Sequence, residues 1–259
     1  MYEKELAAML KAAKDAEVEI KRIYATAFDV EIKSDNSPVT AADKTADALI
    51  RKELGARFPA YGFLTEESKD TKERLNKENI WIVDPVDGTK EFVARNGEFT
   101  TNIALAHDHQ VVAGVINIPM QGVAYFAIRG QGAFRLEKDG TRTPIQVSKK
   151  TENLTVLKSR SFFNEREENL IEKHQDKIKH QAAVGAAIKF CRIADGSADI
   201  SYRTSSNTKE WDVAAGDIIL HEAGGIMLKP DGTPYNYNRE DVYNREGYIL
   251  ANSIKNFLN

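Results

Sequence analysis

Two aspartates three positions apart, Asp84 and Asp87, lie in the stretch Trp81-Ile82-Val83-Asp84-Pro85-Val86-Asp87-Gly88-Thr89-Lys90-Glu91-Phe92. Ile80 to Val83 is a short apolar run of strand type. Pro85 cannot donate to a ladder, so the strand is expected to stop at Asp84. Asp87-Gly88 then marks a turn, and a helix begins. Two carboxylates on a stiff turn make a poor core and a good seat for a hard cation. Mg²⁺ is commonly held by one or two carboxylates together with phosphate oxygens and water. The Val86 carbonyl offers a further oxygen, and the N–H groups of Gly88 and Thr89 would face an anion at the helix start. Taken alone, Asp-x-x-Asp-Gly is also the pattern of a solvated surface turn.

Other acids change that balance. Glu66 follows a short strand at Phe63-Leu64, and Asp212 stands near the start of a helix, in Trp211-Asp212-Val213-Ala214-Ala215-Gly216. Strand ends and helix starts can face one cleft. Carboxylates clustered there would repel and their pKa values would rise, a cost that a divalent cation removes. With neither Cys nor His beside these acids, Mg²⁺ is a better match than zinc. Each acid also has a plainer reading. Asp43, three after Thr40, fits a variant capping box, and Asp212 suits the helix dipole. Glu67 reads as a supporting or solvated group, Trp211 as packing, Asp217 and Glu222 as helix-face charges. Lys189 and Arg203 read either as a solvated lysine and a strand-end arginine or as phosphate contacts.

The elements that must position these groups follow from periodicity. Leu6, Met9, Leu10, Ala13, Ile20, Ile23 and Tyr24 give residues 3–25 one apolar helical face. A strand and polar turn are expected over 28–36, a helix from Thr40 to about Gly55, and a charged, mobile excursion over 69–79. Thr101–Ala106 and Val111–Ile118 pair across a turn at His107–Gln110, and Val123–Ile128 follows before the turn Gly130-Gln131-Gly132, so an antiparallel sheet is expected. From about residue 150 helices and strands alternate. Strands are expected at 154–157, 198–202, 226–228 and 248–251, and helices at 164–173, 183–194 and 211–223, the last stopped by Gly224-Gly225. We therefore expect an α/β chain with an N-terminal α+β lobe over 1–150, carrying most of the metal-ligand candidates. A C-terminal α/β lobe over 151–259 would carry Asp212 and the substrate contacts.

Composition narrows the classes. A chain of 259 residues that is 42% hydrophobic can bury a sizeable core. A formal net charge of −3 gives no basic field for a nucleic-acid polymer. No apolar run reaches membrane-span length, and the first residues lack a signal-peptide pattern. The lone Cys191 excludes an intrachain disulfide, suits a cytoplasmic location, and reads as a small core residue.

Three motifs in this order, Glu66-Glu67, Asp84-Pro-Val-Asp87-Gly-Thr89 and Trp211-Asp212-x-Ala-Ala-Gly216, resemble the inositol monophosphatase superfamily of Mg²⁺-dependent, lithium-sensitive phosphomonoesterases. Within it, Asn36-Ser-Pro-Val-Thr-Ala-Ala-Asp43, Asp87-Gly-Thr-Lys-Glu-Phe92 and Asn96-Gly-Glu-Phe-Thr-Thr-Asn-Ile-Ala-Leu105 are similar to the 3′(2′),5′-bisphosphate nucleotidases of the CysQ type. The resemblance implies a sugar-phosphatase fold of alternating α/β/α/β/α layers. It also implies removal of the 3′-phosphate of adenosine 3′,5′-bisphosphate, a by-product of sulfate assimilation. Glu66, Asp84, the Val86 carbonyl, Asp87 and Asp212 would hold two or three Mg²⁺ ions. Asp43 would take a proton from Thr89, which orients the attacking water, and Gly88 and Thr89 would hold the scissile phosphate. Lys189, Arg203 and Asp212 would contact the nucleotide. Metals neutralise charge on the attacking and leaving oxygens in such transfers, and the protein supplies positions.

The sequence departs from that pattern at Ala186, where serine is usual, and at Phe162, where histidine is usual. Thr204–Lys209 lacks the common Gly-Pro-Thr form. Two alternatives stand beside the nucleotidase: an inositol monophosphatase or fructose-1,6-bisphosphatase-like enzyme, and an inactive nucleotide-binding regulator. The regulator is expected to lack one of the acids or the Asp43–Thr89 pair, and all are present. The partner expected is a small phosphorylated nucleotide, and the sequence leaves a homodimer open.

Overall fold

The computed structural model describes residues 1–32 and 38–259. The expected turn through Lys33, and Asn36-Ser37 of the N-terminal motif, lie outside the described residues. In chain order the elements are α1 (Glu3–Tyr24), β1 (Val30–Ile32), β2 (Pro38–Thr40), α2 (Ala41–Arg57), β3 (Gly62–Thr65), β4 (Asn79–Asp87), α3 (Thr89–Val93), β5 (Thr100–His107), β6 (Gln110–Ile118), β7 (Val123–Ile128), β8 (Ala133–Leu136) and β9 (Arg142–Ile145). They continue with β10 (Leu154–Ser159), α4 (Glu165–Lys173), β11 (Ile178–Val184), α5 (Ile188–Ala194), β12 (Ile200–Arg203), α6 (Glu210–Glu222), β13 (Ile226–Leu228) and β14 (Tyr248–Ala251).

Strands β3 to β9 form a seven-stranded sheet in sequential order, antiparallel throughout except for the β3–β4 pair. The second sheet runs β11-β10-β12-β14-β13. Alternation along β4 shows how the layers arise. Trp81 and Val83 face one way, into a core with Leu6, Met9, Ile20 and Ile50 of α1 and α2. Ile80 and Ile82 face the other way, into a core with Phe190 of α5, Ile219 of α6 and Leu250 of the second sheet. A strand buried on both faces needs apolar side chains at every position, and β4 has them from Ile80 to Val83. Beyond the second sheet, Val156, Ile200 and Tyr202 pack with Ile171 of α4. The result is a mixed fold of α/β/α/β/α layers.

Helix α6 lies close to the first sheet at Gly114, where an added Cβ would come within 2.5 Å of Ile218 and 2.8 Å of the Ala215 carbonyl. Gly114→Ala is therefore expected to overpack this seam. The expected loss is about 1–3 kcal/mol of stability, read as a lower urea midpoint with an unchanged slope. A midpoint equal to that of the parent protein would contradict the close packing.

Four sequence expectations are corrected. Strand β4 does not stop at Asp84 but runs to Asp87, because Pro85 sits in a bulge. Asp84 pairs with Asn102 and Asp87 with Thr100, so Pro85 and Val86 together oppose Thr101 alone, whose hydroxyl donates to the Pro85 carbonyl at 2.9 Å. The helix expected over 183–194 begins only at Ile188, and Ile178–Val184 is a strand hydrogen-bonded parallel to β10. Residues 69–79 are not a free excursion: Arg74 is buried and bonded to Asp70, Asn238 and the Arg239 carbonyl. Asp217 and Glu222 are more than helix-face charges. Asp217 accepts from the Tyr237 hydroxyl at 2.6 Å, and Glu222 accepts the N–H groups of Gly130 and Gly132. No helix among the described residues is long and apolar enough to cross a membrane.

Candidate active site

The β4 bulge places Asp84 and Asp87 in the lining of a cleft of about 460 Å³. Asp84 is buried, and one of its oxygens accepts the Val86 N–H at 3.1 Å. Asp87 accepts from the Asn102 amide at 3.2 Å and the Thr100 hydroxyl at 3.5 Å, both on β5. Asp212, the third residue of α6, accepts the Lys209 N–H at 2.7 Å and so caps its own helix. One carboxylate oxygen from each of Asp84, Asp87 and Asp212 lies within 4.8 Å of the others. Glu66, in the turn after β3, lines the same cleft and adds its charge to the field on Asp84, Asp87 and Asp212. Among the described residues one other group of donors is gathered as closely, Glu78, His107 and Asp108, with both acids exposed.

Asp43 divides its two oxygens. One accepts both the N–H and the hydroxyl of Thr40, at 2.8 and 2.7 Å, and caps α2. The other accepts from the Thr89 hydroxyl at 3.1 Å. Thr89 opens the short helix α3 after Gly88, whose φ of +88° a residue with a Cβ rarely adopts. Lys189 is not solvated. It is buried and donates to the Ala186 carbonyl at 2.7 Å, and its ammonium faces the charge of Asp87. Arg203 is likewise buried and donates to the Phe162 carbonyl at 3.0 Å. Gly88, Thr89, Lys189 and Arg203 all line the cleft with the acids. The cleft residues to which the sequence reading gave no role include Lys90, Lys209 and Tyr243. Lys90 lies within the Asp87–Phe92 motif and Lys209 two residues before Trp211, which is the signal that could have found them. Tyr243 sits in a loop with no periodic pattern.

Taking carboxylates out of water is costly, and here the cost falls on several at once. Burial, followed by repulsion from Glu66 and Asp87, holds Asp84 well above the usual carboxylate range. Burial raises Asp87 to about 6, against the pull of Lys189. Burial and the Asp87 charge raise Asp212 to about 8. The donor set is all oxygen, buried at Asp84 and half-buried at Asp87 and Asp212, and mutually repelling, which is what a hard divalent cation would relieve. A pH dependence follows. The unfolded chain releases these protons near pH 3.9, whereas the folded chain keeps them to about 6 and 8. The stability these groups contribute in the cation-free protein is therefore fullest below about pH 4 and is lost as pH rises to about 8. In chelator, the urea midpoint is expected to fall between pH 5 and 8, and Mg²⁺ at pH 8 to restore it. A flat profile in chelator would contradict this.

This layered α/β fold, with carboxylates meeting in a cleft beside the bulged strand, is that of a phosphatase with the inositol monophosphatase fold. The chain belongs to the inositol monophosphatase family, whose model matches residues 1–258. It is 37% identical over 243 residues to the 3′(2′),5′-bisphosphate nucleotidase CysQ of Escherichia coli O157:H7, covering 92% of this chain and 96% of that protein. It superposes on the crystal structure of CysQ from Bacteroides thetaiotaomicron with a TM-score of 0.84 at 33% identity, over 97% of this chain and 98% of that one. The extragenic suppressor protein suhB of Bartonella henselae superposes with a TM-score of 0.80 at 28% identity, over 96% and 93% of the two chains.

Proposed function

We propose that this protein is a Mg²⁺-dependent phosphomonoesterase that removes the 3′-phosphate of adenosine 3′,5′-bisphosphate, yielding AMP and phosphate. The observation that carries the reading is the meeting of Asp84, Asp87 and Asp212 in one cleft with the Asp43–Thr89 pair and two buried cations, Lys189 and Arg203. Similarity to nucleotidases along nearly the whole chain supports the choice of substrate.

In this reading Glu66, Asp84, the Val86 carbonyl, Asp87 and Asp212 hold two or three ions. When bound, Mg²⁺ neutralises charge on the phosphoryl, attacking and leaving oxygens. The chain's own groups do the rest. The Gly88 and Thr89 N–H groups hold the scissile phosphate. The Thr89 hydroxyl, bonded to Asp43, orients the water, takes the water's proton as the water oxygen bonds to phosphorus, and passes its own proton to Asp43. The bond from phosphorus to the 3′ oxygen breaks, and that oxygen takes up a proton from solvent, to which Asp43 later returns the one it received. Lys189, Arg203 and Asp212 contact the nucleotide, the guanidinium being suited to a second phosphate. A cytoplasmic setting is part of the reading, supported by the single buried thiol, Cys191.

The test is initial-rate phosphate release from adenosine 3′,5′-bisphosphate, inositol monophosphate and fructose 1,6-bisphosphate, each with Mg²⁺ and with EDTA. The bisphosphate nucleotide is expected to turn over fastest by kcat/KM. Faster hydrolysis of inositol monophosphate would move the protein to the sugar-phosphatase alternative. No release from any of the three at any Mg²⁺ concentration would revive the regulatory one.

A further inference from the structure

Two segments that are distant in the chain flank the acidic cleft. One is the connection from β3 to β4, which begins with Glu66. The other is the first turn of α6, which carries Asp212. A continuous run of buried and half-buried polar contacts links the first of these connections, from Asp70, to the start of α6 through the loop between β13 and β14. Asp70, four residues after Glu66, takes a two-pronged bond from Arg74, at 3.1 Å to Nε and 2.8 Å to the terminal nitrogen. The other terminal nitrogen of Arg74 donates to the Asn238 side-chain carbonyl at 2.7 Å, and the Asn238 amide donates back to the Arg74 carbonyl at 3.2 Å. Asn238 and Arg239 then present successive backbone N–H groups to the two oxygens of Glu210, at 2.7 and 2.8 Å. Glu210 is the first residue of α6, two before Asp212, and is fully buried. The Arg239 guanidinium closes the pair at 3.2 Å from Glu210 and also bonds Asn244, whose own N–H donates to the Thr208 carbonyl.

Nothing in the phosphatase chemistry above uses Arg74, Asn238 or Glu210, yet each is buried and charged or strongly polar. Such groups are costly to bury unless fully paired, and here they are paired with one another across the molecule. We propose that the Arg74–Asn238–Glu210 chain is a positioning device. It sets the spacing between the Glu66 turn and the Asp212 helix start, and through it the affinity of the cleft for its divalent cation. None of the three residues lines the cleft. They act as outer supports that hold ligand-bearing backbone in place, and losing such supports typically costs about 10–100-fold in metal affinity. The inference rests on the reading of the cleft as a cation site.

The test is calorimetric titration of Mg²⁺ into the chelator-treated, full-length protein, with thermal unfolding and Mg²⁺-dependent phosphate release alongside. Glu210→Gln keeps the shape and removes the charge that Arg239 and two N–H groups face. Arg74→Lys keeps a cation and loses the fork. Both are expected to raise the Mg²⁺ dissociation constant by about tenfold or more, with kcat largely recovered at saturating Mg²⁺. Arg74→Lys should be the milder of the two. If Glu210→Gln fails to fold, Arg74→Lys and Asn238→Asp carry the same expectation at the other end of the chain. A lower melting temperature with unchanged Mg²⁺ affinity would overturn the proposal and leave the residues a merely structural role. Absence of Mg²⁺ binding by the parent protein would overturn both this inference and the cation reading beneath it, so the two failures are told apart.

Discussion

Asp87→Asn is expected to bring phosphate release close to background while the protein stays folded. The replacement keeps size and shape, and its carbonyl oxygen can still accept from the Asn102 amide and the Thr100 hydroxyl that now meet Asp87. What it loses is the charge that acts most strongly on both Asp212 and the Lys189 ammonium. A cation's electrostatic contribution to a phosphoryl transition state is worth several kcal/mol, so losing a ligand is expected to cost on the order of 10³-fold or more in kcat/KM. Stability should move the other way. Ionised Asp87 is costly in this buried cluster, so a neutral amide should leave the cation-free protein as stable as before or more so at pH 8. Turnover within about tenfold of the parent would show that Asp87 holds nothing the reaction needs.

Thr89→Ala is expected to lower kcat by about 10²–10⁴-fold, the usual worth of a positioned proton-transfer group, with Mg²⁺ affinity unchanged. The Thr89 hydroxyl lies 3.1 Å from Asp43 and 3.2 Å from the Val86 carbonyl, and its one hydrogen can go to only one of them at a time. A donor shared between a carboxylate and a carbonyl leaves the oxygen's lone pairs for a water. Thr89→Ser keeps that arrangement and should retain most of the activity. Steady-state kinetics with a parallel Mg²⁺ titration separates the roles. Equal losses of kcat and Mg²⁺ affinity would place Thr89 among the structural supports of the cation site instead.

Much of the fold was legible because its signals are local. The three-four spacing from Leu6 to Tyr24 marks α1, and the β5–β6 hairpin announces itself by two apolar runs across a four-residue turn. The misreadings occurred where tertiary contacts override local rules. Pro85 usually ends a strand, but the bulge gives its carbonyl a partner in Thr101 and lets β4 continue to Asp87. Residues 183–184 look helical by composition, but pairing with β10 claims them for a strand. Arg74 lies in a charged run that reads as solvated, and no local pattern reveals that its partner is Asn238. The acids of the cleft were legible by type and by position at element ends. Their meeting was expected from those element ends and from the family resemblance, but no local pattern shows its means: Asp212 reaches Asp84 and Asp87 through the packing of α6 on the first sheet, at the seam marked by Gly114.

In the proposed mechanism these carboxylates hold the divalent cation on which turnover depends. The most direct test is phosphate release from adenosine 3′,5′-bisphosphate by enzyme stripped with EDTA and then titrated with Mg²⁺. Activity is expected to vanish in EDTA and to return along the binding curve measured by calorimetry, and Asp212→Asn should shift or abolish both curves together. Full turnover in EDTA, or a return of activity that Asp212→Asn leaves untouched, would contradict it.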